Sequence, residues 1–84
     1  MSWKEDVWEC INEICNKSQD NNFTLKQIYQ FEDSLSKKHP NNNFIKDKIR
    51  QQLQYLRDEN RIAFVNGKGF YLKKDNIKDP DSIT

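Results

Sequence analysis

Residues 43–72 run NFIKDKIRQQLQYLRDENRIAFVNGKGFYL, and two patterns meet in them. Up to about Asn60 the apolar residues Ile45, Ile49, Leu53 and Leu56 recur at spacings of four, four and three. At roughly 100° per residue they fall within about 40° of one direction, the mark of a helix with one buried stripe. Beyond it, Ile62-Ala63-Phe64-Val65 and Phe70-Tyr71-Leu72 flank Asn66-Gly67-Lys68-Gly69. An Asn-Gly pair between two β-rich runs is the strongest short hairpin signal, because both residues tolerate positive φ. The stretch predicts a long helix from Phe44 to about Asn60 followed by a tight hairpin over residues 62–72.

Upstream, Ser2 is a suitable N-cap, Glu5 and Asp6 suit the first turn of a helix, and Val7, Ile11, Ile14 and Cys15 recur with helical spacing, widened by Trp3 and Trp8. This predicts a first helix over residues 3–16. Residues 16–22 carry turn chemistry and read as a loop, with Phe23 turned into the core. Thr24-Leu25-Lys26-Gln27 has the form of a capping box, and Leu25, Ile28, Phe31 and Leu35, with Tyr29 beside them, continue it as a second helix over residues 25–38. That helix ends before His39-Pro40, since proline disfavours helical geometry at the residue preceding it. Pro40 to Asn43 reads as a turn, with Asn43 capping the third helix.

Three helices followed by a hairpin make a mainly α fold with a small β element, the winged helix-turn-helix. The domain is expected over residues 1–74, with residues 75–84 a polar, frayed tail. Eighty-four residues, 35% hydrophobic and 32% charged, are enough for one domain with one core. The net charge of +1 hides an asymmetry. Residues 1–42 have five Lys against seven acids, residues 43–74 eight Lys and Arg against three acids, and residues 75–84 one Lys against three acids. The third helix and the hairpin thus carry +5, the electrostatic footprint of a nucleic-acid surface.

Other classes are poorly served. Cys10 and Cys15 point about 140° apart on one helix, so they read as reduced core thiols. With His39 the only histidine, no zinc set, cofactor site or Cys/Ser-His-acid arrangement assembles, and no enzyme is expected. No apolar run approaches the roughly 18–20 residues of a membrane span, and the start resembles neither a secretory nor a transit peptide. A cytoplasmic, nucleoid-associated monomer is expected.

Opposite the apolar stripe, with Ile49 set at zero, Asp47 falls at about 160°, Gln51 at about 200°, Gln54 at about 140°, Arg50 at about 100° and Lys48 at about 260°. Gln pairs bidentately with adenine and Arg with guanine, while Lys serves phosphates or guanine, so this face suits the major groove. An ordinary solvated face is the plain alternative, since Gln, Lys and Arg are good helix formers anywhere. Lys68 at the hairpin tip, Lys46, and Lys73 at the strand end suit the phosphate backbone. Asn43, Phe44 and Tyr55 complete the candidate DNA-binding set. Phe44 is assigned first to packing against Pro40 or the end of the second helix, with contact to a base methyl group as the alternative. Tyr55 is placed over the base of the wing.

Trp3, Cys10-Ile11, Phe23-Thr24-Leu25, Tyr29-x-Phe31-Glu32 and above all Ile45-Lys46-x-Lys48-Ile49-Arg50-Gln51-Gln52-Leu53-Gln54-x-Leu56-Arg57-Asp58, followed by Gly67-Lys68-Gly69, carry a resemblance. From Trp3 to about Lys73 the chain resembles the C-terminal winged-helix domain of the Dam-replacing, DpnI-like family of methyl-directed restriction endonucleases. The resemblance implies recognition of GATC bearing N6-methyladenine beside a separate PD-(D/E)xK nuclease domain or subunit that makes the cut. The one Pro-Asp pair, Pro80-Asp81, has no Glu-x-Lys after it, and the family's Cys-rich zinc site has no counterpart, so cleavage is not expected of this chain. The competing reading is a winged helix used for protein–protein contact through its acidic first helices or an aromatic patch, or a free-standing small transcriptional regulator.

Overall fold

The computed structural model describes residues 2–74 and has the architecture of a winged helix-turn-helix: four helices and a three-stranded antiparallel sheet. Helix α1 spans Trp3–Ser18, opened by the Ser2 hydroxyl accepting from the Glu5 N–H at 3.1 Å and closed by Gln19 in the left-handed region. It packs chiefly on the last helix, burying Val7, Cys10, Ile11, Ile14 and Cys15. Both thiols are free and buried. Desolvation pushes Cys10 up to about 11 and raises Cys15, so neither is a thiolate at neutral pH.

Residues 16–22, expected to be a loop, include the last turn of α1 and run into a strand. Strand β1, Asn22–Thr24, pairs with β3, Phe70–Lys73, which also pairs with β2, Ile62–Phe64, giving the order β1-β3-β2. Phe23, Tyr71 and Phe64 stand directly across from one another in this register. Their rings, 5.3 Å apart and stacked for the first pair and 5.0 Å apart edge-to-face for the second, seal the sheet onto the helices. Three residues with one apolar side chain show no alternation, which is why β1 is silent in the sequence.

The expected second helix is two helices, α2 at Leu25–Tyr29 and α3 at Glu32–Lys38. The capping box at Thr24 is present in both directions: Gln27 N–H donates to Thr24 Oγ1 at 3.1 Å, and Thr24 N–H to Gln27 Oε1 at 2.8 Å. The break comes where the Gln30 and Phe31 N–H groups reach back three residues, to Gln27 and Ile28, instead of four. Glu32 and Asp33 then favour a fresh N-terminus for α3. Ile28 and Leu35 both stay in the core, so hydrophobic spacing alone does not reveal the interruption.

Past α3, His39 stacks on Trp3 with ring centres 4.0 Å apart, and its Nε2 lies 2.6 Å from the carboxylate of Asp6, which is only 3% exposed. This ties the end of α3 to the first turn of α1. Helix α4, Ile45–Asp58, begins one residue later and ends two residues earlier than expected. Its stripe of Ile45, Ile49, Leu53 and Leu56 is buried as the spacing required, and Gln52 is buried beside it.

The hairpin exists, but its turn differs from a two-residue Asn-Gly loop. Residues 65–69 connect the strands, Gly67 and Gly69 carry the positive φ values of 73° and 86°, and Asn66 does not. Asn66 acts through its side chain instead, Oδ1 accepting from the Lys68 N–H at 2.9 Å. The polar tail expected at residues 75–84 lies outside the described residues.

Candidate nucleic-acid interface

Because α4 buries one stripe, its other side is free by geometry. Lys46, Asp47, Arg50, Gln51, Gln54 and Tyr55 are exposed and Lys48 is half-buried. Tyr55 stands 46% exposed, and the side chain over the wing base is Arg57, 4.6 Å from the centre of the Phe64 ring. Arg50 is steadied by Asp47, Nη2 to Oδ1 at 2.8 Å, which leaves other guanidinium N–H groups to donate outward. Lys46 lies 5.1 Å from the centre of the Tyr29 ring, linking the start of α4 to α2.

Phe44 departs from its expected packing role: it is 71% exposed. It occupies the N-cap position of α4 with φ −121° and ψ 65°, and its N–H donates to Asn42 Oδ1 at 2.9 Å. Asn42 therefore holds this turn, whereas no side-chain cap closes α4 and the exposed Asn43 does not serve as one. That backbone conformation turns the phenyl away from the core, beside the first turn of α4.

The wing tip is fixed to the same end of the domain. Leu25 N–H donates to the Gly69 carbonyl at 2.9 Å, and a Cβ on Gly69 would meet Leu25 Cβ at 3.5 Å. Lys68 is thereby held beside α2 and Arg50 across an open groove of about 620 Å³, with Lys26, Tyr29 and Phe70 among its walls. Lys73 is placed elsewhere: its Nζ lies 5.6 Å from the centre of the Trp8 ring, which Arg61 also covers at 5.2 Å. Sequence reasoning missed Lys26, inside the capping box, and Tyr29, two residues after it, which reach the groove only because the wing folds back onto α2.

The sequence profile of the family described as "Dam-replacing HTH domain" matches residues 1–73, nearly the whole chain. The chain belongs to the Dam-replacing HTH domain family. As a Dam-replacing HTH domain it is a DNA-binding module and is not itself catalytic. Among the described residues of this Dam-replacing HTH domain, no cluster of three His, Cys, Asp or Glu is placed to hold a metal, and no helix is long and apolar enough to cross a membrane.

One consequence of the exposed face can be measured on a single side chain. Gln51→Ala, on the outward side of α4, is expected to leave thermal stability within about 0.5 kcal/mol while weakening sequence-specific duplex binding by about 1–3 kcal/mol. A large loss of stability with binding intact would mean that α4 is rotated about its axis relative to this description.

Proposed function

We propose that the domain reads duplex DNA by laying α4 in the major groove and the wing along the backbone, and that its target is GATC carrying N6-methyladenine. The observation that supports this most is the exposed Gln51, Gln54 and Arg50 face opposite a fully buried stripe, on the same side of the domain as Lys68. In this reading Gln51 and Gln54 meet base edges, while Lys46, Lys48, Arg50 and Lys68 meet phosphates or guanine; Asp47 positions Arg50, and Asn43 and Tyr55 flank the contact. Lys73, over Trp8, is left out. Phe44 offers an apolar ring at the entry of α4 to an added methyl group. The domain works as a monomer inside the cell, at the nucleoid, beside a nuclease domain or subunit that makes the cut.

Methyl preference is expected to be modest. One methyl group is worth on the order of 0.8 kcal/mol of transfer free energy, and a shaped pocket discriminates it by about 1–3 kcal/mol, so methylated GATC should win by roughly ten- to hundredfold. Competition between methylated and unmethylated duplexes at moderate salt measures it. Equal affinities would remove methyl reading and leave a plain DNA-binding winged helix. The rival reading, a protein contact, has one feature in its favour: Val65, Phe70 and Leu72 are exposed, with Phe70 and Leu72 on the sheet face opposite buried Tyr71.

A further inference from the structure

We propose that the groove between α2, α4 and the wing tip is the track of one sugar–phosphate strand, gripped by Lys26, Arg50 and Lys68 and by the hydroxyl of Tyr29; this rests on the reading of the domain as a duplex-DNA binder. The lining of the groove includes three cations and no carboxylate, so its occupant is an anion. Among the described residues Lys26 and Lys68 form no salt bridge, whereas Arg50 is oriented by Asp47. The groove is open to solvent rather than enclosed, as a passing polymer requires. Leu25 and Phe70 give it apolar walls, a match for the deoxyribose between successive phosphates.

The two sides of the groove are spaced before any ligand arrives. The hydrogen bond from Leu25 to Gly69 ties wing to α2, and glycine is favoured there because φ is 86°, a backbone conformation that residues with a Cβ rarely adopt. At the floor, burial raises the Tyr71 phenol above its ordinary value and neighbouring Tyr29 adds to this, against a smaller pull from Arg50. The phenol thus stays protonated and able to donate. This geometry assigns Arg50 to the backbone, leaving base edges to Gln51 and Gln54, and adds Lys26 and Tyr29 to the contact surface.

The test uses the full chain, a GATC duplex, and the slope of log affinity against log salt. Lys26→Ala should reduce the magnitude of that slope by about 0.9, the share of one phosphate contact, and Tyr29→Phe should weaken binding up to about tenfold with the slope unchanged. Lys17→Ala, on α1, should change neither. Duplexes with single neutral methylphosphonate linkages should reveal one linkage whose neutralisation weakens the wild type but not the Lys26→Ala variant. If Lys26→Ala binds with an unchanged slope, or if its effect adds fully to that of every methylphosphonate, the strand does not run through the groove while duplex binding stands. If the wild type shows no salt-dependent duplex binding, the reading beneath the proposal fails with it.

Discussion

Leu53→Ala is expected to destabilise the domain by about 2–5 kcal/mol, because it removes a fully buried branched side chain and leaves a cavity between α4 and its neighbours. Single domains hold only about 5–15 kcal/mol in total, and one this short sits toward the lower end. For its size each kcal/mol corresponds to about 4–8 °C, so the midpoint of thermal unfolding should fall by roughly 8–40 °C. Circular dichroism melting of this variant beside Gln51→Ala separates the two faces of α4. Leu53→Ala should lose binding only in proportion to the unfolded fraction, whereas Gln51→Ala should lose binding with its melting curve intact. Similar melting points for Leu53→Ala and the wild type would contradict the packing described here.

The second large effect is that of salt. Four cations, Lys46, Lys48, Arg50 and Lys68, displacing counterions from duplex phosphates give a slope of about −3.6 at about −0.9 per contact. Raising monovalent salt from about 50 to about 200 mM should then weaken binding by roughly a hundredfold or more. Addition of the Lys26 contact steepens the slope further. Net charge is no guide to this, since the whole chain carries only +1; the effect comes from the cations of α4 and the wing tip, Lys46, Lys48, Arg50 and Lys68, while Glu9 and Glu13 stand exposed on α1. Affinity that stays constant over this range, measured by fluorescence anisotropy, would contradict a polyanion partner.

What was legible in the sequence follows from which interactions are local. The buried stripe of α4, the hairpin after it and the capping box at Thr24 are all set by residues within a few positions of one another, and periodicity or turn chemistry exposes them. The C-terminal limit of α3 was legible for the same reason, since Pro40 acts on the residue before it. The elements that stayed hidden depend on distant partners or on one backbone angle. Strand β1 exists because β3 offers it a ladder some fifty residues away, and the link from Asp6 to His39 spans most of the first half of the chain. The break between α2 and α3 turns on two short-range hydrogen bonds at Gln30 and Phe31 that leave the apolar spacing untouched.

The candidate surface divides in the same way. Gln51 and Gln54 face outward as expected because a helix with one buried stripe has a predictable opposite face. Phe44 was harder, because its exposure is decided by the non-helical backbone of an N-cap position rather than by its own hydrophobicity. Lys73 follows strand alternation: it shares the inner face with Tyr71 and so meets Trp8, whereas Lys68 gains its place from a turn tethered to α2.

If α4, the wing and the α2 side of the groove between them receive duplex DNA, the contact must show residue by residue in solution. Backbone amide shifts of the labelled chain, followed by NMR during titration with a short GATC duplex at low salt, test it most directly. Saturable changes are expected to concentrate at residues 44–54 and 66–69, with residues 24–29 moving alongside them and the outer face of α1 around Glu9, Asn12 and Glu13 unmoved. Changes centred on α1, or spectra that do not move at millimolar duplex, would contradict this placement of the DNA.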